Sequence, residues 1–99
     1  MATSKQEFEK IAERLKAFPE ISYRPMMGEY VLYFRQKVVG GIYDGRVLIK
    51  PVEGLNGLIP EARLELPYDG AKLMVLIDNL DEKFLRPIFE LDLIFYIIK

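Results

Sequence analysis

Cysteine and histidine are both missing from the 99 residues. Without cysteine there are no disulfides and no thiolate to act as nucleophile or metal ligand, and a reducing compartment suits the chain. Without histidine the commonest general base near neutral pH and the commonest imidazole ligand are gone. Any catalytic site would therefore rest on carboxylates, tyrosines, lysines and arginines. An excess of one charge is missing too, since 14 Lys and Arg stand against 15 Asp and Glu for a net charge of −1. No general field draws in a phosphate backbone or an anionic membrane, and direct nucleic-acid binding is not expected. The longest apolar run, residues 93–98, falls well short of the about 20 residues a spanning helix needs. Residues 1–10 lack the apolar centre of a secretory signal, so a cytoplasmic protein without membrane attachment is expected. Repeats and low-complexity tracts are absent as well.

What is present suits one packed domain. Apolar residues make up 51% of the chain and charged ones 29%, enough burial to offset chain entropy. A chain of this length has surface for one core only, so residues 1–99 are expected to form a single domain. Its end, residues 91–99, is unusually apolar.

The first periodic signal is helical. Phe8, Ile11, Ala12, Leu15 and Phe18 recur at steps of three and four, Ser4 and Glu7 match a capping box, and Pro19 ends propagation, which predicts a helix over 5–17. Beyond Ile21 the pattern changes to β-branched and aromatic residues over 29–34, 38–43 and 46–50, which read as strands. Asp44-Gly45 accepts the positive φ angles of a two-residue hairpin turn, setting Tyr43 opposite Arg46, Ile42 opposite Val47 and Gly40 opposite Ile49. A three-residue loop, Arg35-Gln36-Lys37, would place Phe34 opposite Val38 and Leu32 opposite Gly40. The two registers agree, and alternation then puts Tyr30, Leu32, Phe34, Val38, Gly40, Ile42, Val47 and Ile49 on a core face. Glu29, Val31, Tyr33, Val39, Gly41, Tyr43, Arg46, Leu48 and Lys50 fall on the reverse. That face is mixed rather than polar, which points to a cover, either the chain's own C-terminal segment or a partner, against the plainer reading that scattered exposed apolar side chains need none.

Downstream, a short helical turn is expected at 55–59 and a central strand at 73–77. Asp78 and Asn79 are candidates to cap a second helix from about Leu80, with Phe84, Leu85, Ile88 and Phe89 as its apolar stripe and Pro87 as a kink or early stop. Residues 91–98 read as an extra strand or a buried segment. The fold class is α+β, with an antiparallel sheet of about five strands and helices on one face.

Four stretches carry a family resemblance: residues 21–33 (Ile-Ser-Tyr-Arg-Pro-Met-Met-Gly-Glu-Tyr-Val-Leu-Tyr), 41–51 around Tyr43-Asp44-Gly45-Arg46, 66–72 (Leu-Pro-Tyr-Asp-Gly-Ala-Lys), and 78–81. In this order they resemble the N-terminal domain of the TfoX family, named for a bacterial regulator of competence. The resemblance covers roughly residues 4–90. It implies a two-layer α+β domain like those of small secretion chaperones and a regulatory, non-enzymatic role.

Several constellations are candidate sites. Arg24, Glu29 and Lys50 supply the ingredients of an anion site for a small molecule or nucleotide. Met27 offers an adaptable contact, and Tyr33, Tyr43 and Leu48 offer a surface for a protein partner, a second copy of the chain included. The carboxylate pairs Glu65 with Asp69 and Asp78 with Asp81 could supply an acid and a base, but no sequence feature gathers either pair into a pocket, and no calcium-type loop occurs. The expectation is a protein-interaction module with no catalytic residues, no cofactor and no metal.

Overall fold

The computed structural model describes residues 2–98, with side chains described up to Ile94. The order of elements is α1 (Lys5–Leu15), β1 (Ile21–Met26), β2 (Glu29–Phe34), β3 (Lys37–Tyr43), β4 (Arg46–Ile49), α2 (Leu55–Leu58), β5 (Leu64–Glu65), β6 (Met74–Ile77) and α3 (Glu82–Ile98). The strands form one antiparallel sheet in the order β1-β2-β3-β4-β6-β5. The chain meanders through its first four strands, crosses by way of α2 to the far edge, and returns with β6 inserted between β4 and β5. The architecture is α+β, with helices on one face of the sheet.

Helix α1 begins as its sequence specifies. Ser4 and Glu7 form the capping box, with the Glu7 amide donating to Ser4 Oγ (3.1 Å) and the Ser4 amide to Glu7 Oε1 (2.9 Å). Ile11 and Leu15 are buried from it, and Phe8 stacks on Tyr30 at 4.0 Å and meets Tyr23 edge-on at 5.1 Å. These contacts fasten α1 to β1 and β2. The desolvation that follows pushes the Tyr23 phenol up to about 12. On the other side of the core, Phe89 of α3 packs against Phe18 and Phe34, each at 5.4 Å between ring centroids.

The Asp44-Gly45 turn has the expected geometry, with φ of 52° and 75°, and the expected pairs Tyr43 with Arg46, Ile42 with Val47 and Gly40 with Ile49 are all present. The hairpin before it differs. Its loop is two residues, Arg35 and Gln36, both at positive φ (52° and 69°), so Phe34 faces Lys37 rather than Val38. A bulge between Leu32 and Tyr33 then lets Val39 stand as the extra residue on β3, and Leu32 meets Gly40 as expected. The shorter loop and the bulge cancel. Between them the faces exchange: Val39 lies in the core cluster, whereas Val38 is half-buried on the reverse face. Gly40 is obligatory, because a Cβ there would sit 2.1 Å from the carbonyl oxygen of Leu48.

The sheet and the last helix differ further from expectation. Residues 21–26 form a strand in their own right, paired along β2, and Leu64–Glu65 adds a short edge, giving six strands. The strand at Met74–Ile77 lies one in from that edge. The last helix starts at Glu82, where Asp81 rather than Asp78 or Asn79 caps it: the Lys83 amide donates to Asp81 Oδ2 (3.1 Å) and those of Phe84 and Leu85 to the Asp81 carbonyl. It runs through Pro87 to Ile98, so the apolar end is helix and not strand. Pro87 is the sixth residue of this helix and lies past its first turn, so it removes one backbone hydrogen bond, a cost set against the burial of Leu85, Ile88, Phe89 and Leu93 on the same helix. The side chains of residues 95–98 lie outside those described.

Candidate functional site

The helices all pack on one face. Ile11 and Leu15 of α1, Leu55 of α2, and Leu85, Ile88, Phe89 and Leu93 of α3 join the inward residues of β2, β3, β4 and β6 in one apolar cluster. The reverse face therefore carries no helix, and its rows are fixed by the register. One row runs Arg24, Val31, Gly41, Leu48, Leu76 across five strands, and a neighbouring one holds Ser22, Tyr33 and Val38.

The chain's own loop covers part of this face. After β5, residues 66–70 are held over the β3–β4 turn by Arg46. Its guanidinium donates to Glu65 Oε1 (2.7 Å), the Leu66 carbonyl (3.2 Å) and the Pro67 carbonyl (3.4 Å), and its Nε to the Tyr43 carbonyl (3.2 Å). Tyr68 comes to 6.1 Å from the ring of Tyr43. Pro67 is buried, and beneath and beside the loop Tyr43 is only 9% exposed and Leu48 not at all. The cover expected from the C-terminal segment is thus supplied by this strap, since α3 lies on the opposite face. Burial beneath the strap raises the Tyr43 phenol above its ordinary value, with Tyr68 and Glu29 adding to the effect. Between strap and turn lies a cleft of about 320 Å³ lined by Glu29, Asp44, Arg46, Tyr68 and Asp69 among others.

The remaining reverse face, over β1, β2 and the start of β3, is open. Val31, Tyr33 and Val38 are half-buried there, Met26 and Arg24 are exposed, and Met27 projects from the β1–β2 turn at 96% exposure. Arg24 makes no ion pair among the described residues.

The ingredients of the anion site do not converge. Glu29 is a brace: its carboxylate accepts from the Thr3 amide (2.9 Å), Thr3 Oγ1 (2.6 Å) and the Asp44 amide (3.1 Å), while Thr3 Oγ1 accepts from Gly45 (3.1 Å). It ties the approach to α1 to the β3–β4 turn. Lys50 follows the opposite end of β4, four residues from Arg46 or about 13 Å along a strand, where its charge acts on Asp92 of α3. Arg24 stands on the outer strand. Met27 and Tyr33 share the open part of the face, and Tyr43 and Leu48 share the strapped part.

Two features left no sequence signal that was read. The Arg46–Glu65 pair joins residues 19 apart with no periodic link. Asp92 was visible as the one charge in an apolar stretch, and helical spacing from Leu85, Ile88 and Phe89 would have placed it on the buried stripe. Among the described residues no cluster of three or more carboxylates is placed to hold a metal, and no helix is long and apolar enough to cross a membrane.

Comparison with known proteins adds one relative. An uncharacterized 12.7 kDa protein in the trpE 5' region of Spirochaeta aurantia is 38% identical over 58 residues, which is 59% of this chain and 50% of that protein. The chain thus spans about half the length of the relative it matches. No family model matches the chain. No solved structure matches it either.

Proposed function

We propose that this domain is a non-enzymatic, cytoplasmic protein-interaction module, in the manner implied by its resemblance to the TfoX N-terminal domain, and that it binds through the open part of the reverse face. The observation that carries this reading is the contrast between that face and the sheet edges. Edge β1 contains Pro25, which cannot donate a backbone hydrogen bond, and edge β5 is two residues long. Both are poor templates for an added strand. The face, by contrast, offers Val31, Tyr33, Val38 and Met26 around Arg24, whose guanidinium makes no ion pair among the described residues. Aromatic, methionine and arginine side chains are the types enriched in interface cores. The partner is a protein surface with an apolar centre and a carboxylate opposite Arg24, and a second copy of the chain is the first to test because two-fold dimers are the commonest closed assemblies.

Tyr33→Asp places a charge in the centre of the open face without entering the core. Sedimentation of the parent and of this variant at low micromolar concentration tests self-association. Affinity capture from source cells with the same pair tests other partners. The reading expects at least one association that Tyr33→Asp and Arg24→Glu each weaken about tenfold or more, the loss typical of a central interface residue. Associations that survive both changes would refute it.

A further inference from the structure

The buried stripe of α3 holds one residue foreign to an apolar core. Asp92 follows Leu85, Ile88 and Phe89 at helical spacing and is 4% exposed. Among the described residues its Oδ2 has no hydrogen-bond partner. A carboxylate so placed is costly when ionised and far less so when protonated. Among the described residues, the charged and titratable groups on the elements packed against this part of α3 are Lys37 and Tyr43 of β3, Lys50 after β4, Glu53 ahead of α2, and Glu90 on the helix itself. Of these, Lys50 is the one that acts on Asp92, and it favours the ionised form. Loss of solvent outweighs it, and the Asp92 carboxyl is pushed up to about 7.

We propose that Asp92 is a proton-operated catch for the C-terminal end of α3: protonated, it lets the helix from Leu91 onward lie against the sheet, and ionised, it loosens that end while the upstream core stays packed. The end is suited to separate movement. Leu93 is the last described core residue, and helix termini open more easily than the elements they leave behind. Asp92 acts in the direction its environment dictates. Its folded value lies above its ordinary 3.8, so the docked helix holds an extra proton between 3.8 and about 7. Docking is firmest below that window, weakens as pH rises through it and levels off above it. A displacement of about three units corresponds to a change of about a thousandfold in the ratio of docked to loosened ends, if the whole shift is relieved on opening.

The test uses the full chain and nuclear magnetic resonance. The Asp92 carboxyl is titrated directly, and amide protection factors of residues 91–94 are compared at about pH 5.5, inside the proposed window, and about pH 8.5, above it. The expected result is an Asp92 titration above about pH 6, protection that falls about tenfold or more at the higher pH, and unchanged protection in β3. Asp92→Asn, neutral at every pH, is expected to keep the high protection throughout. A carboxyl titrating near its ordinary value, protection equal at both pH values, or a fall that persists in Asp92→Asn would each overturn the proposal. If the variant folds poorly, the titration and the two protection measurements on the parent decide the matter together.

Discussion

The two faces of this sheet are sealed by different means. The front is closed by three helices through a continuous apolar cluster, in which many side chains each contribute a little and none is indispensable to the others. The back is closed over part of its area by a strap that one guanidinium holds through Glu65 and the carbonyls of Leu66 and Pro67. A cover made of dispersed apolar contacts degrades gradually. A cover that hangs on one charged group has a single point of release.

The sharpest way to break this comparison is to charge each face in turn. Val47 is buried at the front, and Val47→Asp is expected to cost on the order of 4 kcal/mol, a large share of what a domain of this size possesses. Tyr33→Asp at the open back should cost less than about 1 kcal/mol. Urea unfolding followed by circular dichroism measures both, and equal costs would mean that the faces do not differ as described.

A smaller effect is expected at the strap. Arg46→Ala removes a guanidinium bonded to Glu65, whose side chain is about three quarters buried, and should cost about 2 kcal/mol. Hydrogen exchange should show the loss concentrated in residues 66–72, with α1 and α3 unaffected. If protection falls evenly across the sheet, the strap is an integral part of the core and the contrast fails.

The least effect belongs to the front's own ion pair. Glu20 accepts from Arg86 at 2.9 Å, and that bond, aided by the nearby Arg35, holds its carboxyl below the usual range. A depressed carboxylate adds stability that is present above its unfolded value and is lost as pH falls through the folded one. Glu20→Gln should therefore be slightly less stable at neutral pH and show a shallower loss in acid. Identical acid limbs for parent and variant would show that the front owes nothing to this pair.

Much of the front was legible in the sequence because burial there follows a period. Phe8, Ile11 and Leu15 declare a helical stripe, Asp44-Gly45 declares its turn, and the face of β4 follows from alternation. The first hairpin was harder. Arg35 and Gln36 occupy positive φ without the glycine or asparagine that usually signals it, so the loop read one residue too long, and the bulge at Val39 hid the error by restoring the register at Gly40. The back was nearly illegible. Its cover depends on Arg46 reaching residues 19 to 21 positions away, a contact with no periodic trace. Of the two readings of residues 91–98, the strand fails and the buried segment holds for Asp92 and Leu93, which lie in a helix. The apolar run 93–98 suits strand and buried helix alike, and the charge at Asp92 marks a helical position only once the helix is known.

The strap also has a consequence for the order of folding. The pairings of β1 through β4 are local hairpins that close short loops, whereas the contacts of Arg46 must wait until β6 has crossed back and β5 has reached its edge. Interactions that form only after the local hairpins have closed are absent from a transition state built on nearby pairs. Loosening the strap should then leave the folding rate almost untouched and quicken unfolding, so that Arg46 governs how long the native molecule lasts rather than how soon it forms.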